Sequence, residues 1–310
     1  MPDRRPLDLV VHGDRANAPG LREAVTELRA KGHTVRVHVT WERGDARRLA
    51  RHAADRVVRR GAGAVVAVGG DGTLNEVLNG VLLASPTVGA PAPIGVIPVG
   101  TANDFARQAG IPSDPGAALA LAAAADPVPV DVGRVNGRAF LNVSTLGAPA
   151  EVTSETSASS KQALGVFAYA LSGVRRFVTG DEPVTARVSG PGFARELPFL
   201  FVAVGNARAT GAGTVVTPLA EVDDGLLDVC VVEPVARLSY AGLLLELRRG
   251  EHLDREGVHY VQTPWLRVEA AEPLAANVDG EPIRARTLRY DVEPLAARVF
   301  VAPPAPEPDA

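Results

Sequence analysis

Apolar residues in the first third of the chain follow two alternating rhythms. Leu7–His12, Thr34–Thr40, Ala64–Val68 and Ile94–Pro98 are short apolar or alternating runs that predict strands. Leu21–Lys31 and Asp45–Arg60 space their apolar residues at helical intervals, as Leu49, Ala53 and Val57 show. Leu74–Leu83, with Leu74, Val77, Leu78 and Val81 on one stripe, and the Ala/Leu-rich Asp114–Ala125 complete the helices. Strand–helix alternation of this kind predicts a parallel sheet covered by helices. In such sheets ligands sit beyond the carboxyl ends of the strands.

The pattern changes near Pro127. Val128–Val135, Arg138–Val143, Val184–Ser189, Leu197–Gly205, Leu227–Val232, Trp265–Ala270, Ala275–Val278, Thr287–Tyr290 and Arg298–Ala302 read as short strands between Gly, Pro and Asn turns. They predict a mostly antiparallel sandwich or barrel. Helical patterns interrupt it at Ala163–Val178 and Leu238–Arg249. The first carries Leu164, Phe167, Ala168, Leu171 and Val174 on one stripe, suited to core packing or to a membrane surface. The expected organisation is an α/β domain over 1–127, a β-rich domain over 128–302 and a disordered proline-rich tail over 303–310.

Two strand ends carry the candidate chemistry. Ala64–Val68 stops at Gly69-Gly70-Asp71-Gly72-Thr73, and a helix follows. A glycine turn entering a helix exposes backbone N–H groups that stabilise anions. Asp71 cannot itself hold phosphate, but it can hold a Mg²⁺ that does, since Mg²⁺ favours one or two carboxylates plus phosphate oxygens. Thr73 offers a hydroxyl or a helix cap. The second loop, Gly100-Thr101-Ala102-Asn103-Asp104, repeats the theme after Ile94–Pro98. Either loop alone could be a tight turn with a capping residue; two at neighbouring strand ends point to one shared ligand.

Charge and composition narrow the classes. The chain has 310 residues and a net charge of −4, with no basic footprint for nucleic acid. Lys31 and Lys161 are its only lysines, and neither follows a Gly-x-x-x-x-Gly stretch, which excludes a P-loop enzyme. No Gly-x-Gly-x-x-Gly follows the first strand, and the six histidines show no metal-ligand spacing. Cys230 is the sole cysteine, so no internal disulfide forms and a reducing compartment is expected. The opening residues show no signal-like apolar stretch, and no run is long enough to cross a membrane as a helix. A cytoplasmic protein is expected; if its substrate is a lipid, it meets it from the membrane surface.

Gly69-Gly70-Asp71-Gly72-Thr73-Leu74-Asn75-Glu76-Val77 and Gly100-Thr101-Ala102-Asn103-Asp104-Phe105-Ala106 closely resemble the diacylglycerol-kinase-like lipid kinases, and within them the bacterial YegS-type branch. Val39-Thr40-Trp41-Glu42-Arg43-Gly44-Asp45-Ala46 is similar to the segment after that branch's second strand, and Val278-Asp279-Gly280-Glu281-Pro282 to its Asp-Gly-Glu motif. NAD kinases share the first loop. The resemblance implies a phosphofructokinase-like N-terminal nucleotide domain followed by a mostly antiparallel β-sandwich lipid domain. It implies that Thr40, Gly69, Gly70, Asp71, Gly72, Thr73, Leu74, Asn75 and Thr101 contact ATP. Asp71 and Asp104 would organise the catalytic Mg²⁺, with a structural role for Asp104 as the alternative. Glu281 would accept the hydroxyl proton, with Asp279 as the substitute.

Glu221-Val222-Asp223-Asp224-Gly225-Leu226 resembles a family metal loop. By that resemblance Asp224 and the carbonyls of Glu221 and Leu226 would hold Mg²⁺, or Ca²⁺ in a structural role. Read by itself, the stretch is a hairpin or bulge turn. One departure is the turn after the first strand, His12-Gly13-Asp14-Arg15, where the family often has an Asn-rich turn. The expected activity is transfer of the γ-phosphate of ATP to a glycerolipid hydroxyl, on diacylglycerol or phosphatidylglycerol, with peripheral contact at the inner membrane face. The rivals are an NAD kinase-like enzyme and a non-catalytic lipid-binding regulator on the same fold.

Overall fold

The computed structural model describes residues 4–84, 90–147, 183–211, 213–234 and 239–302. The expected Ala163–Val178 helix and the 303–310 tail lie outside them. The chain divides into two compact units, Met1–Val130 with Leu295–Ala310, and Asp131–Pro294. The residues from Leu295 onward thus rejoin the first unit, which a single cut near Pro127 does not anticipate.

In the first unit β1 (Leu7–Val11), α1 (Leu21–Ala30), β2 (Val35–Val39), α2 (Asp45–Arg60), β3 (Ala64–Gly69), α3 (Asp71–Ala84), β4 (Ile94–Pro98), α4 (Asp104–Gln108) and α5 (Pro115–Ala124) alternate as expected. The strands are parallel in the order β4-β3-β1-β2. Every residue of β1, β3 and β4 is buried, which is why β3 and β4 read as apolar runs rather than as alternation, while the buried Asp8 of β1 is paired with Arg36, His38 and Arg56. Edge strand β2 does alternate. Helices α2 and α3 pack closely because Gly80 has no side chain; a Cβ there would lie 2.3 Å from the Arg47 carbonyl oxygen. Buried Ala50, Ala53 and Ala54 keep the facing side of α2 equally thin.

The second unit is antiparallel. It contains most of β5 (Val128–Val135), then β6 (Arg138–Phe140), β7 (Val143–Gly147), β8 (Val184–Gly190), β9 (Phe193–Phe199), β10 (Phe201–Gly205), the two-residue strands β11 (Ala209–Thr210) and β12 (Thr214–Val215), β13 (Leu227–Val232), α6 (Tyr240–Arg249), β14 (Val258–Thr263), β15 (Trp265–Val278) and most of β16 (Glu281–Val299). The main path runs β14-β13-β10-β7-β15-β16. Its two faces feed separate cores. Val202 and Val204 of β10 join Leu227, Val229 and Tyr290, whereas Phe201 and Ala203 join Cys230, Val232, and Leu243 and Leu247 of α6. Burial of both faces is the packing of a sandwich.

Several sequence expectations change in detail. Thr287–Tyr290 and the first residues of Arg298–Ala302 fall in the one long strand β16, which ends at Val299. Arg138–Val143 is split between β6 and β7, and Leu197–Gly205 between β9 and β10. The segments expected at Trp265–Ala270 and Ala275–Val278 are one strand, β15, with a register break between Glu269 and Leu274 where Pro273 sits. A proline cannot donate to the ladder, and the irregularity accommodates it.

Candidate active site

The carboxyl ends of the first unit's strands bring the two glycine loops into backbone contact. A Cβ on Gly100 would lie 2.3 Å from the Gly70 Cα and 2.7 Å from Asn103 Oδ1, and one on Gly70 would lie 3.2 Å from the Gly100 Cα. A Cβ on Gly69 would meet the Thr73 side chain at 2.3 Å. These three glycines are dictated by close approach. Gly72 is different: it is exposed and a Cβ there meets nothing within 4 Å. The fold does not require glycine in this first turn of α3, where glycine costs stability.

Asn103 and Asp71 hold the loops in shape. Asn103 sits at φ 51° and accepts from the Gly100 N–H at 3.0 Å while donating to the Gly100 carbonyl at 2.9 Å. Asp71 Oδ1 accepts the Phe105 N–H at 3.2 Å, so the acid of the first loop ties down the start of α4 in the second. Burial, and then the nearby Asp104 charge, push the Asp71 carboxyl above its ordinary value despite that bond. Asp104 is buried and ion-pairs with Arg107 at 2.9 Å. Thr101 is exposed at the loop tip. Thr73 packs on Gly69, Leu74 is buried in the core, and the buried Asn75 pairs with Asn79, whose Nδ2 donates to the Asn75 carbonyl at 2.9 Å.

The turns after β1 and β2 also meet. The Gly13 N–H donates to Thr40 Oγ1 at 3.0 Å, and a Cβ on Gly13 would lie 2.6 Å from the Thr40 carbonyl oxygen. A hydroxyl that accepts one bond keeps its own proton to donate.

In the second unit, Asp279-Gly280 forms the two-residue turn between β15 and β16, with φ 48° and 92°. Both central residues at positive φ make the tight hairpin turn that Asp-Gly favours. Asp279 is 5% exposed, and its carboxylate accepts the N–H groups of Leu141, Asn142 and Val143 at 2.8, 3.0 and 3.2 Å. Glu281, two residues on, is half-buried. Of the two acids in this turn, Asp279 is committed to holding backbone.

A model of the diacylglycerol kinase catalytic domain matches residues 10–135, and the YegS C-terminal NAD kinase beta sandwich-like domain matches residues 142–301. The chain belongs to this YegS-type family of diacylglycerol-kinase-like proteins. A Pseudomonas aeruginosa PAO1 protein named "Probable lipid kinase YegS-like" is 43% identical, with 96% of this chain and 95% of that protein covered. A Pseudomonas putida KT2440 relative of the same name is 39% identical, with 94% of each covered. The crystal structure of a candidate diacylglycerol kinase from Bacillus anthracis str. Sterne superposes with a TM-score of 0.80 at 25% identity, covering 98% of this chain and 97% of that one.

The downstream loop of this YegS-type chain has an Asx turn: the Leu226 N–H donates to Asp224 Oδ1 at 2.9 Å. Asp131, buried in β5, accepts the Gly225 N–H at 2.6 Å, and its own N–H donates to the Val222 carbonyl. Burial, with the charges of Asp131, Glu221 and Asp223 behind it, raises the Asp224 carboxyl. Crowded carboxylates and carbonyls are hard oxygen donors of the kind Mg²⁺ or Ca²⁺ takes. Among the described residues no group of three or more His, Cys, Asp or Glu is placed to hold a metal ion, so backbone carbonyls would have to complete the set. The sequence reading missed Asp131 and its partner Asn206, whose Nδ2 donates to the Asp131 and Leu141 carbonyls at 3.1 Å each. A lone acid inside the apolar run Val128–Val135 was the available signal.

Proposed function

We propose that this protein is an ATP- and Mg²⁺-dependent lipid kinase that transfers the γ-phosphoryl group to a hydroxyl of a glycerolipid such as diacylglycerol or phosphatidylglycerol. The observation that carries the reading is Gly72. The neighbouring glycines are explained by close approach of the Thr73 side chain to Gly69 and of the two loops' backbones at Gly70 and Gly100; Gly72 is explained by a ligand that comes close to the chain, as phosphate does at a helix start.

In this reading Gly69–Thr73 and Thr101 cradle the phosphates, and Thr40 donates its hydroxyl proton to the nucleotide. Asp71, with Asp104 beside it, would hold Mg²⁺; the raised Asp71 carboxyl fits a site whose negative charge a cation relieves. Bound there, Mg²⁺ neutralises phosphate charge, which together with positioning supplies most of the catalysis in phosphoryl transfer. Glu281 accepts the proton of the attacking hydroxyl, and Asp279 fixes the turn that carries it. Asp224 with the carbonyls of Glu221 and Leu226 would hold a second, structural cation. Among the described residues no helix is long and apolar enough to cross a membrane, which fits an enzyme that reaches lipid from the surface.

The test is incubation with γ-labelled ATP and, in separate arms, total membrane lipid, diacylglycerol, phosphatidylglycerol and NAD. Label in a lipid supports the reading. Label in NAD alone replaces it with an NAD kinase. Lipid binding without transfer in any arm replaces it with a non-catalytic lipid-binding protein.

A further inference from the structure

Trp41 is 94% exposed, more than any other large hydrophobic residue among those described. Tryptophan is highly buried on average and enriched at interfaces, so one left in water on an anchored backbone is a candidate contact surface. Its backbone is anchored on every side. The Thr40 N–H donates to the Val11 carbonyl at 2.9 Å, and the Trp41 and Glu42 N–H groups donate to Asp45 Oδ2 at 2.9 and 3.2 Å. Asp45 in turn pairs with Arg48 at 2.6 Å. The Trp41 N–H, Arg48 and the Glu42 N–H together hold the Asp45 carboxyl down at about 2, so the anchor stays charged at any working pH.

The place of this residue in the sheet suggests the partner. Trp41 follows β2, the edge strand, at the same carboxyl end as the glycine loops after β3 and β4. Strands are spaced about 4.8 Å apart, so β2 lies about 10 Å from β3 and about 14 Å from β4. That is the separation between the base and the terminal phosphates of an extended nucleoside triphosphate. Thr40 and Gly13, in contact beside Trp41, lie along the line between them.

We infer that Trp41 is the platform on which the nucleobase of the phosphate donor stacks. The inference rests on the kinase reading and adds to it how the donor is recognised. Stacking on one aromatic face tolerates any base, because every base has a π-face. The site therefore takes nucleoside triphosphates by shape and position rather than by hydrogen bonds to one base. A lipid surface is the competing partner, since Val37 and Val39 are exposed at alternate positions of the same strand. The contact between Thr40 and Gly13 and the run of strand ends toward the glycine loops favour the nucleotide.

Trp265 is the other tryptophan, so Trp265→Phe leaves Trp41 as the only indole reporter. The expected result is that ATP and GTP quench its fluorescence on binding, while inorganic tripolyphosphate and phosphatidylglycerol vesicles leave it unchanged. Calorimetry on the otherwise wild-type chain should show Trp41→Ala binding ATP about 5- to 100-fold more weakly, with Trp41→Phe between them and tripolyphosphate affinity unaltered. ATP that binds with normal heat, no quenching and no loss in Trp41→Ala overturns the inference and leaves the kinase reading standing. A blue shift on vesicles, with ATP affinity intact in Trp41→Ala, overturns it in favour of a membrane contact. No ATP binding by calorimetry at two temperatures, by fluorescence or by equilibrium dialysis overturns both.

Discussion

The glycine loops of the first unit and the Asp-Gly turn of the second both present acids at tight turns, but they use them differently. On the proposed reading one carboxylate of the first does two jobs: Asp71 caps the start of α4 through the Phe105 N–H and remains half-exposed beside Asp104. In the second, the same reading divides the jobs. Asp279 is buried against three backbone N–H groups, and Glu281 is left half-buried next to it. Where one residue both builds and reacts, its removal damages shape and chemistry together. Where two residues share the work, shape and chemistry can be separated by mutation.

The sharpest use of that contrast is in the second turn. Glu281→Gln should cut turnover by about 10²–10⁴-fold with thermal stability unchanged, if Glu281 is the general base. A normal rate would move the base elsewhere. Asp71→Asn keeps an acceptor for the Phe105 N–H but loses the charge, and turnover should fall by about 10²–10³-fold. Its stability should respond to pH in a definite sense. The folded chain holds the Asp71 proton more tightly than the unfolded chain does. That contribution is therefore complete below about pH 4 and is lost as pH rises through the raised value. In metal-free buffer, urea denaturation should show Asp71→Asn gaining stability on the wild type as pH rises toward neutrality. A gap that is flat with pH would contradict the partly desolvated, charge-crowded setting of Asp71.

Structural damage should dominate in two further variants. Asp279→Asn tolerates the positive φ but gives up one carboxylate oxygen, leaving a buried N–H short of a partner; a loss of about 1–3 kcal/mol is expected in chemical denaturation. Gly100→Ala forces a Cβ into the Gly70 backbone and should cost about 1–3 kcal/mol and weaken nucleotide binding as well. The smallest effect tests the neighbouring position. Gly72→Ala should stabilise the fold by about 0.4–1 kcal/mol while raising the KM for ATP, because its Cβ meets only the ligand. If Gly72→Ala leaves that KM unchanged, the ligand-based explanation of Gly72 fails.

Much of the first unit was legible because parallel strands and amphipathic helices write distinct periods. Asp45–Arg60 and Ile94–Pro98 have the same bounds in sequence and structure. The helix expected from Leu74 begins at Asp71, since glycine and aspartate carry no apolar signal at a helix start. The second unit was legible in kind but not in detail. Pro273, Pro282 and Pro294 each look like a strand break, yet all lie within β15 or β16. Strand β14 went unread, because Val258–Thr263 is half-exposed and places His259 and Gln262 among its apolar residues. At the site, the residue types were visible and their division of labour was not. That Leu74 and Asn75 are buried, that Asp279 holds three backbone N–H groups and that Gly72, unlike Gly69, Gly70 and Gly100, has open space are facts of packing, and no motif encodes them.

Every role proposed for the site residues depends on phosphoryl transfer from a nucleotide held on the glycine loops to a lipid hydroxyl. Its most direct measurement is the recovery of labelled lipid after incubating the protein with γ-labelled ATP and membrane lipids, run beside Asp71→Asn and Glu281→Gln. Label is expected in a glycerolipid with the wild type, with near-complete loss in both variants. Equal labelling by all three proteins, or none by the wild type while ATP and lipid both bind, would contradict it.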